Sequence, residues 1–398
     1  MKKVKLIAKL LLILLFVSVT GMLIYHRDLI LRSFERGRSF DYVTTNKCES
    51  LETTNNVNLK NNTLDTIQDQ ILALKNKFKI PAINVCIAKD GEVILNKSFG
   101  CYNPVKQIPA SDNSRYRIGS ISKSLSAITL LSLVQEGKIK LSESVQNYIP
   151  DLALEKNISF AELAAHQSGI RHYEGLEFFS NKEFNNANES LSVFERDKLL
   201  FEPGTNYHYS TYNYCLIAAA IENLTGQEFS KYVETNTCEK LNMINTRPER
   251  SDDYLNFYTS NVKTGEVRRA IKVNNSGRLA GGGFLSNATD LVNMMLNLDS
   301  LLYPKYQKQL FTIKKFNNGE QGNHDYGLGF RITKLSKSNR TLIHHGGTST
   351  GGRSFLLKIV EDDVIVAICT NSNSNLFFRP QSFDLQEVYN LVKPLIFN

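Results

Sequence analysis

Between Arg117 and Glu136 this chain carries a single charged residue, Lys123, among Ile, Leu, Ala, Ser and Thr. A helix with no polar face has to be buried all round. The chain must therefore build layers on several sides of one central helix, which excludes a coiled coil, a collagen-like repeat or a disordered polymer as a description of the whole. With 398 residues, 42% hydrophobic and 22% charged, it has enough apolar surface for such a body. Gly137 stands just past the helix, where a left-handed backbone ends it.

The surrounding pattern suggests how the layers arise. Ile67, Ile71, Leu74 and Phe78 recur at helical spacing ahead of Pro81. Residues 82–88 and 92–99 flank Lys89-Asp90-Gly91, a turn that predicts a β-hairpin. The middle of the chain, 141–300, reads as helical patches joined by loops, including 216–224 and 289–298. Strand patterns return at 341–344, 354–360 and 364–370, and 385–395 reads as a closing helix. Strands early, helices in the middle and strands late predict an α/β fold of the α+β kind. Its two ends form one antiparallel sheet flanked by helices, with a helical subdomain inserted between them.

Charge separates the N-terminus from the rest. The net charge is +8, but the first 40 residues hold eight basic and two acidic side chains, a net of +6, leaving the remaining body nearly neutral at +2. Nucleic acid is therefore not an expected partner, whereas a membrane is. Residues 6–25 form an apolar run broken only by Lys9, long enough to span a bilayer as a helix. A cleaved signal peptide is the rival reading, with Val19-Thr20-Gly21 as its cleavage site. Arg27, Arg32, Arg36 and Arg38 follow at once and no Ala-x-Ala precedes them, which favours an uncleaved single-pass anchor. Either way the catalytic body lies outside the cytoplasm, in the cell envelope. A mitochondrial transit peptide fits less well, because such peptides are amphipathic rather than uniformly apolar. The expected organisation is a segment 1–40 for the membrane, a polar linker 41–64 and a catalytic domain 65–398. The six cysteines are scattered, with no CxxC and no histidine at zinc-finger spacing, so they are expected as buried free thiols, without a metal.

Three clusters can carry chemistry. Ser120-Ile121-Ser122-Lys123 opens the uncharged helix, and side chains three apart share a helical face, so the amine reaches the hydroxyl. Burial lowers a lysine pKa toward a neutral base, and the helix N-terminus favours an oxyanion at Ser120. The second cluster, 207–212, offers a tyrosine as a further proton carrier, provided that a neighbouring cation lowers its pKa. The third, His344-His345-Gly346-Gly347, closes a predicted strand with glycines whose N–H groups can approach a substrate.

Taken in order, these clusters resemble the serine β-lactamase-like and penicillin-binding hydrolases of class C type. The likeness runs from residue 80 to 373. It is strongest at 116–137 (YRIGSISKSLSAITLLSLVQEG), 168–174 (SGIRHYE), Tyr209-Ser210-Thr211 and 280–286 (AGGGFLS), where the chain is similar to the mitochondrial serine β-lactamase-like branch and its bacterial relatives. The resemblance implies a β-lactamase/transpeptidase-like fold, with Ser120 as acyl-accepting nucleophile, Lys123 as general base and Tyr209 as proton shuttle to the leaving group. His344 would occupy the first position of the family's Lys-Thr-Gly motif and act in catalysis. Gly347 would give its N–H to the oxyanion hole beside that of Ser120, while Thr211, His345 and Gly346 line the substrate site. His166 matches a frequent family segment and reads as structural, and 281–283 form a loop near the pocket.

The sequence departs from true class C β-lactamases, which carry Tyr-x-Asn and Lys-Thr-Gly. With Tyr-Ser-Thr and His-His-Gly the chain suits a peptidase or esterase acting on small-molecule, peptide or ester substrates, without metal or cofactor. A scaffold that has lost turnover, or a β-lactamase or penicillin-binding protein, are the alternatives. Because a histidine at 344 is mostly neutral above pH ~7, Lys123 loses its proton with less help, and an optimum at mildly alkaline pH is expected.

Overall fold

In the computed structural model the described residues are 2–37, 39–42, 48, 61–250, 252–336, 338–374 and 382–396. The chain divides into two compact units, Met1–Arg38 and Ser39–Asn398. The first holds the helices Lys2–Tyr25 and Arg27–Phe34. Among the described residues no single helix is long and apolar enough to cross a membrane. Leu11–Ile24 and Arg27–Phe34, bent by 62° at their junction, pass that test of length and composition together.

The second unit is organised by a seven-stranded sheet. Its order across the sheet is Arg331–Leu335, Arg340–Ser349, Gly352–Ile359, Val364–Thr370, Ala82–Lys89, Glu92–Asn103 and Ile108–Pro109. Every neighbouring pair is antiparallel. The early hairpin thus lies directly beside the last long strand, with Ile83 paired to Thr370 and Lys89 to Val364. Asp90 and Gly91, at φ 53° and 81°, supply the two left-handed positions that a tight hairpin turn requires.

Alternation along the central strands assigns their two faces. Ile83, Val85, Ile87, Val364, Val366 and Ile368 point into a layer formed with the Asn61–Lys77 and Leu385–Val392 helices. Ala82, Cys86, Ala88, Ala367 and Cys369 point the other way, into the larger core that contains the Ile121–Gln135 helix. Both faces are covered, which explains why these strands read as continuous apolar runs. Ile121 through Leu133 are all buried, as an uncharged helix demands, and Gly137 has φ 73°. The antiparallel sheet, the flanking helices and the helical insertion match the fold expected from the sequence. The strand expected at 341–344 is longer and spans Arg340–Ser349, because Gly346 and Gly347 stay in the ladder opposite Phe355 and Ser354.

The cysteine expectation needs correction. Cys48 and Cys101 form a disulfide, leaving Cys86, Cys215, Cys238 and Cys369 as buried thiols. Of the linker expected at 41–64, residues 43–47 and 49–60 lie outside the described residues. Phe40–Asp41 pairs with Val267 and Glu266, and Tyr42 is buried, so the chain is packed just ahead of those residues. The pairing partners lie far along the chain, so local composition carried no sign of them. The bond joins positions 53 apart, a loop for which chain entropy gives about 4 kcal/mol of stabilisation. Cys48→Ser is expected to lower the unfolding free energy in denaturant by that order, and a reductant should reproduce the loss in the wild-type protein. An unchanged denaturation midpoint in both cases would show that the bridge contributes nothing.

Candidate active site

Ser120 caps the Ile121–Gln135 helix, with Gly119 before it at φ 50°. A Cβ on Gly119 would come within 2.6 Å of the Thr348 nitrogen, so the strand Arg340–Ser349 lies directly against the backbone that presents the serine. Gly347 is tighter still: its added Cβ would meet the Ile118 carbonyl oxygen at 1.8 Å. Serines that would be inert on a solvated helix fasten this one to its surroundings. The hydroxyls of Ser124 and Ser126 donate to the carbonyls of Gly329 and Ala280, and that of Ser122 accepts from the Phe284 N–H.

Lys123 is fully buried. Its Nζ lies 3.1 Å from Ser120 Oγ and 3.0 Å from Thr211 Oγ1, and it donates to the Gly281 carbonyl. Burial lowers its pKa to about 7, with the nearby Arg278 adding to the shift and Cys215 opposing it. A neutral amine has two N–H donors and one lone pair. Gly281 can only accept, and Thr211 takes the second donor, which turns the lone pair toward the Ser120 hydroxyl.

Tyr209 completes the group. Its hydroxyl interacts with the Ser120 side chain, and its ring lies under Lys123 Nζ at 4.9 Å. Burial raises its pKa above the usual 10, against smaller opposing contributions from that interaction and from Arg331. The expected lowering by a neighbouring cation is therefore overturned: desolvation outweighs the Arg331 guanidinium, 5.9 Å from the ring. Tyr209 remains a phenol able to donate a proton. Two histidines hold its loop in place. His166 Nδ1 accepts from the Ser210 N–H and His172 Nδ1 from the Thr211 N–H, both at 3.2 Å, while the His166 ring packs against Tyr209 at a 42° tilt with centroids 4.3 Å apart. Burial holds both pKa values down, His172 at about 4, so the accepting nitrogens stay unprotonated. His166 is thus a structural acceptor, as its sequence context suggested.

The structure shifts the glycine motif by one residue. Side chains alternate along a strand, so His344 and His345 face opposite sides of the sheet. His344 points away from Ser120: its ring stacks on Phe355 at 5.7 Å and its Nε2 meets Thr333 Oγ1 at 3.1 Å. Burial lowers its pKa to about 4, so His344 is neutral as expected, and it is the desolvation of Lys123 itself that lowers the amine's pKa. His345 is the residue on the active-site side, 6.4 Å from the Tyr209 ring. Its Nδ1 faces the Gly346 carbonyl at 2.8 Å, which can only accept, so the proton sits there and Nε2 accepts from the Tyr326 hydroxyl at 2.8 Å. Gly347, expected to line the oxyanion hole, is instead pressed on Ile118. Thr348 shares with Ser120 the wall of a cavity of about 170 Å³. Gly281 and Gly282 also line that cavity, matching their expected place beside the pocket. Thr211, expected at the substrate site, lines it too, and Ser349, His172, Tyr173, Phe178 and Arg278 complete the wall, five residues that sequence reasoning missed. His172 and Tyr173 lie in the 168–174 segment that carried the family likeness, but nothing local marked Arg278.

A serine at a helix N-terminus, with a desolvated lysine one turn on and a tyrosine from a neighbouring loop, set against an antiparallel sheet, defines the β-lactamase/transpeptidase-like class of serine hydrolase folds. The Beta-lactamase family model matches residues 67–389, and the chain belongs to that family. It is 26% identical over 329 residues to Protein flp of Staphylococcus aureus (strain NCTC 8325 / PS 47), covering 78% of this chain but only 63% of the length of that relative. It is 27% identical over 397 residues to the human serine beta-lactamase-like protein LACTB, mitochondrial, covering 75% of this chain and 72% of that protein. Among solved structures, D-amino acid amidase from Ochrobactrum anthropi SV3 superposes with a TM-score of 0.69 at 21% identity, over 84% of this chain and 98% of that one, a likeness of fold.

Proposed function

We propose that this protein is a serine hydrolase of the peptidase or esterase type, cleaving amide or ester bonds through a covalent acyl-enzyme on Ser120. The observation that carries this reading is the neutral-leaning Lys123 amine 3.1 Å from Ser120 Oγ, with its other donors already committed. Lys123 takes the hydroxyl proton as Ser120 Oγ attacks the substrate carbonyl. The oxyanion forms at the positive end of the helix, between the main chains of Ser120 and Thr348. Tyr209 hands a proton to the leaving group, and water then releases the acyl chain by the reverse path. With a neutral His345 where β-lactamases carry a lysine, the site lacks the cation that grips a β-lactam carboxylate there, and β-lactams are expected to be poor substrates.

The Cys48–Cys101 bridge supports a location in an oxidising compartment outside the cytoplasm. The apolar N-terminal helices with their basic flanks support membrane attachment of the Met1–Arg38 unit.

The decisive test is intact-mass spectrometry of the full chain in detergent after exposure to a fluorophosphonate. One adduct, absent from Ser120→Ala, is the expected result. No adduct across pH 6 to 9 in folded protein would sink the hydrolase reading and leave a binding or scaffolding role.

A further inference from the structure

The cavity beside Ser120 contains a cation that the chemistry above does not use. Arg278 is only 7% exposed. Its Nε donates to Asn275 Oδ1 at 2.9 Å and its Nη1 to the Glu177 carbonyl at 3.3 Å, both neutral acceptors. The rings of Tyr173 and Phe178, themselves 5.8 Å apart, both lie on one side of the guanidinium at 5.4 and 5.3 Å. The nearby carboxylates are committed elsewhere. Glu177 is held by Arg171 through two hydrogen bonds of 2.8 and 3.0 Å and by Tyr212 at 2.6 Å. Glu249 is clasped by Arg117 and by Asn275 Nδ2. Among the described residues no carboxylate forms an ion pair with Arg278. A nearly buried guanidinium without a counter-ion is costly unless an anion arrives to pair with it.

The other side chains lining the cavity carry no fixed charge: two serines, two threonines, two aromatics and a neutral His172. Tyr209, which protonates the leaving group in the proposed reaction, is absent from this wall, as are His345 and Tyr326. The cavity therefore receives the half of the substrate that stays on the serine. Its volume of about 170 Å³ is roughly five waters' worth of space, the size of a short acyl chain.

We propose that Arg278 selects substrates whose acyl portion ends in a carboxylate a few carbons from the scissile carbonyl, such as monoesters or monoamides of short dicarboxylic acids. This rests on the serine hydrolase reading and deepens it. An arginine fork accepts a carboxylate through two parallel hydrogen bonds, and a charged hydrogen bond of this kind discriminates by roughly tenfold to a hundredfold.

The test compares 4-nitrophenyl glutarate with uncharged 4-nitrophenyl valerate. Their kcat/KM ratio does not depend on how much enzyme is folded. A ratio of roughly 10 to 100 is expected for the wild type, falling toward one in Arg278→Gln and partly kept in Arg278→Lys. A wild-type ratio near one, or a ratio unmoved by Arg278→Gln, overturns the assignment. Binding is read separately, as the shift in melting temperature that monomethyl glutarate gives the Ser120→Ala protein. A shift that disappears when Arg278→Gln is added upholds the pocket even without turnover, in which case only the hydrolase reading fails. No shift in Ser120→Ala, in a protein whose wild type takes the fluorophosphonate, overturns the pocket alone.

Discussion

Replacing Lys123 by methionine is expected to lower kcat/KM by roughly 10²- to 10⁴-fold at pH 8, the range for loss of a general base. The side chains are of similar length, so the core stays filled, and the loss is one of chemistry. The pH profile gives the sharper reading. Burial brings the Lys123 pKa down to about 7. The base is neutral above that value and protonated below it, so wild-type kcat/KM should fall tenfold per pH unit below about 7 and be level above it. The raised pKa of Tyr209 keeps its phenol protonated, so no descending limb is expected up to pH ~9.5. The corrected profile is thus a plateau from neutrality upward, and an alkaline optimum has no remaining basis. An acid limb that survives in Lys123→Met, or one centred near the ordinary lysine value, would contradict this assignment.

Gly347→Ala should be the most damaging small change in the molecule. The new methyl group would sit 1.8 Å from the Ile118 carbonyl oxygen and 2.5 Å from Ser354 Oγ, and Ser354 Oγ already donates to that same carbonyl at 2.7 Å. No flexible side chain is available to give way, because the first contact is backbone on backbone. Overpacking of this kind costs about 1–3 kcal/mol, and relief comes by pushing the strand off the helix start. Because Thr348 and Ser120 face each other across that contact, fluorophosphonate labelling should fall by more than the stability loss explains. Gly351→Ala is the control: it is also crowded, by Ala270 and Phe257, but lies beyond the contact with Ile118. Equal effects of the two substitutions on labelling would show that Gly347 matters only for stability.

The sequence carried the layered architecture because each signal was local and strong. Lys123 alone in an uncharged helix could only be buried, and Asp90-Gly91 could only turn. Ser120 and Lys123 were legible together for the same reason, since helical spacing fixes their relation without knowledge of the rest. What was missed depends on pairings across the chain. Whether His344 or His345 faces the serine is a question of strand phase, and a motif read as ending a strand gives no phase. The longer Arg340–Ser349 strand answers it in favour of His345. Arg278 belongs to the site only because the loop before the glycines folds against Tyr173 and Phe178. The Cys48 pairing likewise depends on where Cys101 ends up in the sheet.

The position of the first hairpin beside the last long strand also constrains how the molecule comes into being. The Ala82 N–H donates to Asn371 Oδ1 at 2.8 Å, a partner 289 positions away. The centre of the sheet is thus absent until Asn371 has left the ribosome, and contacts of such separation make folding slow. Until then the Ile121–Gln135 helix has nothing to lie against on the sheet side, and its apolar surface is open to self-association. A chain ending before Val364 would lack that central strand, leaving an edge at Ala82–Lys89 and no seat for the nucleophile. Such a protein acquires its active site only after the segment 364–371 has emerged, and a route that keeps the emerging chain apart from its neighbours serves it better than piecemeal folding.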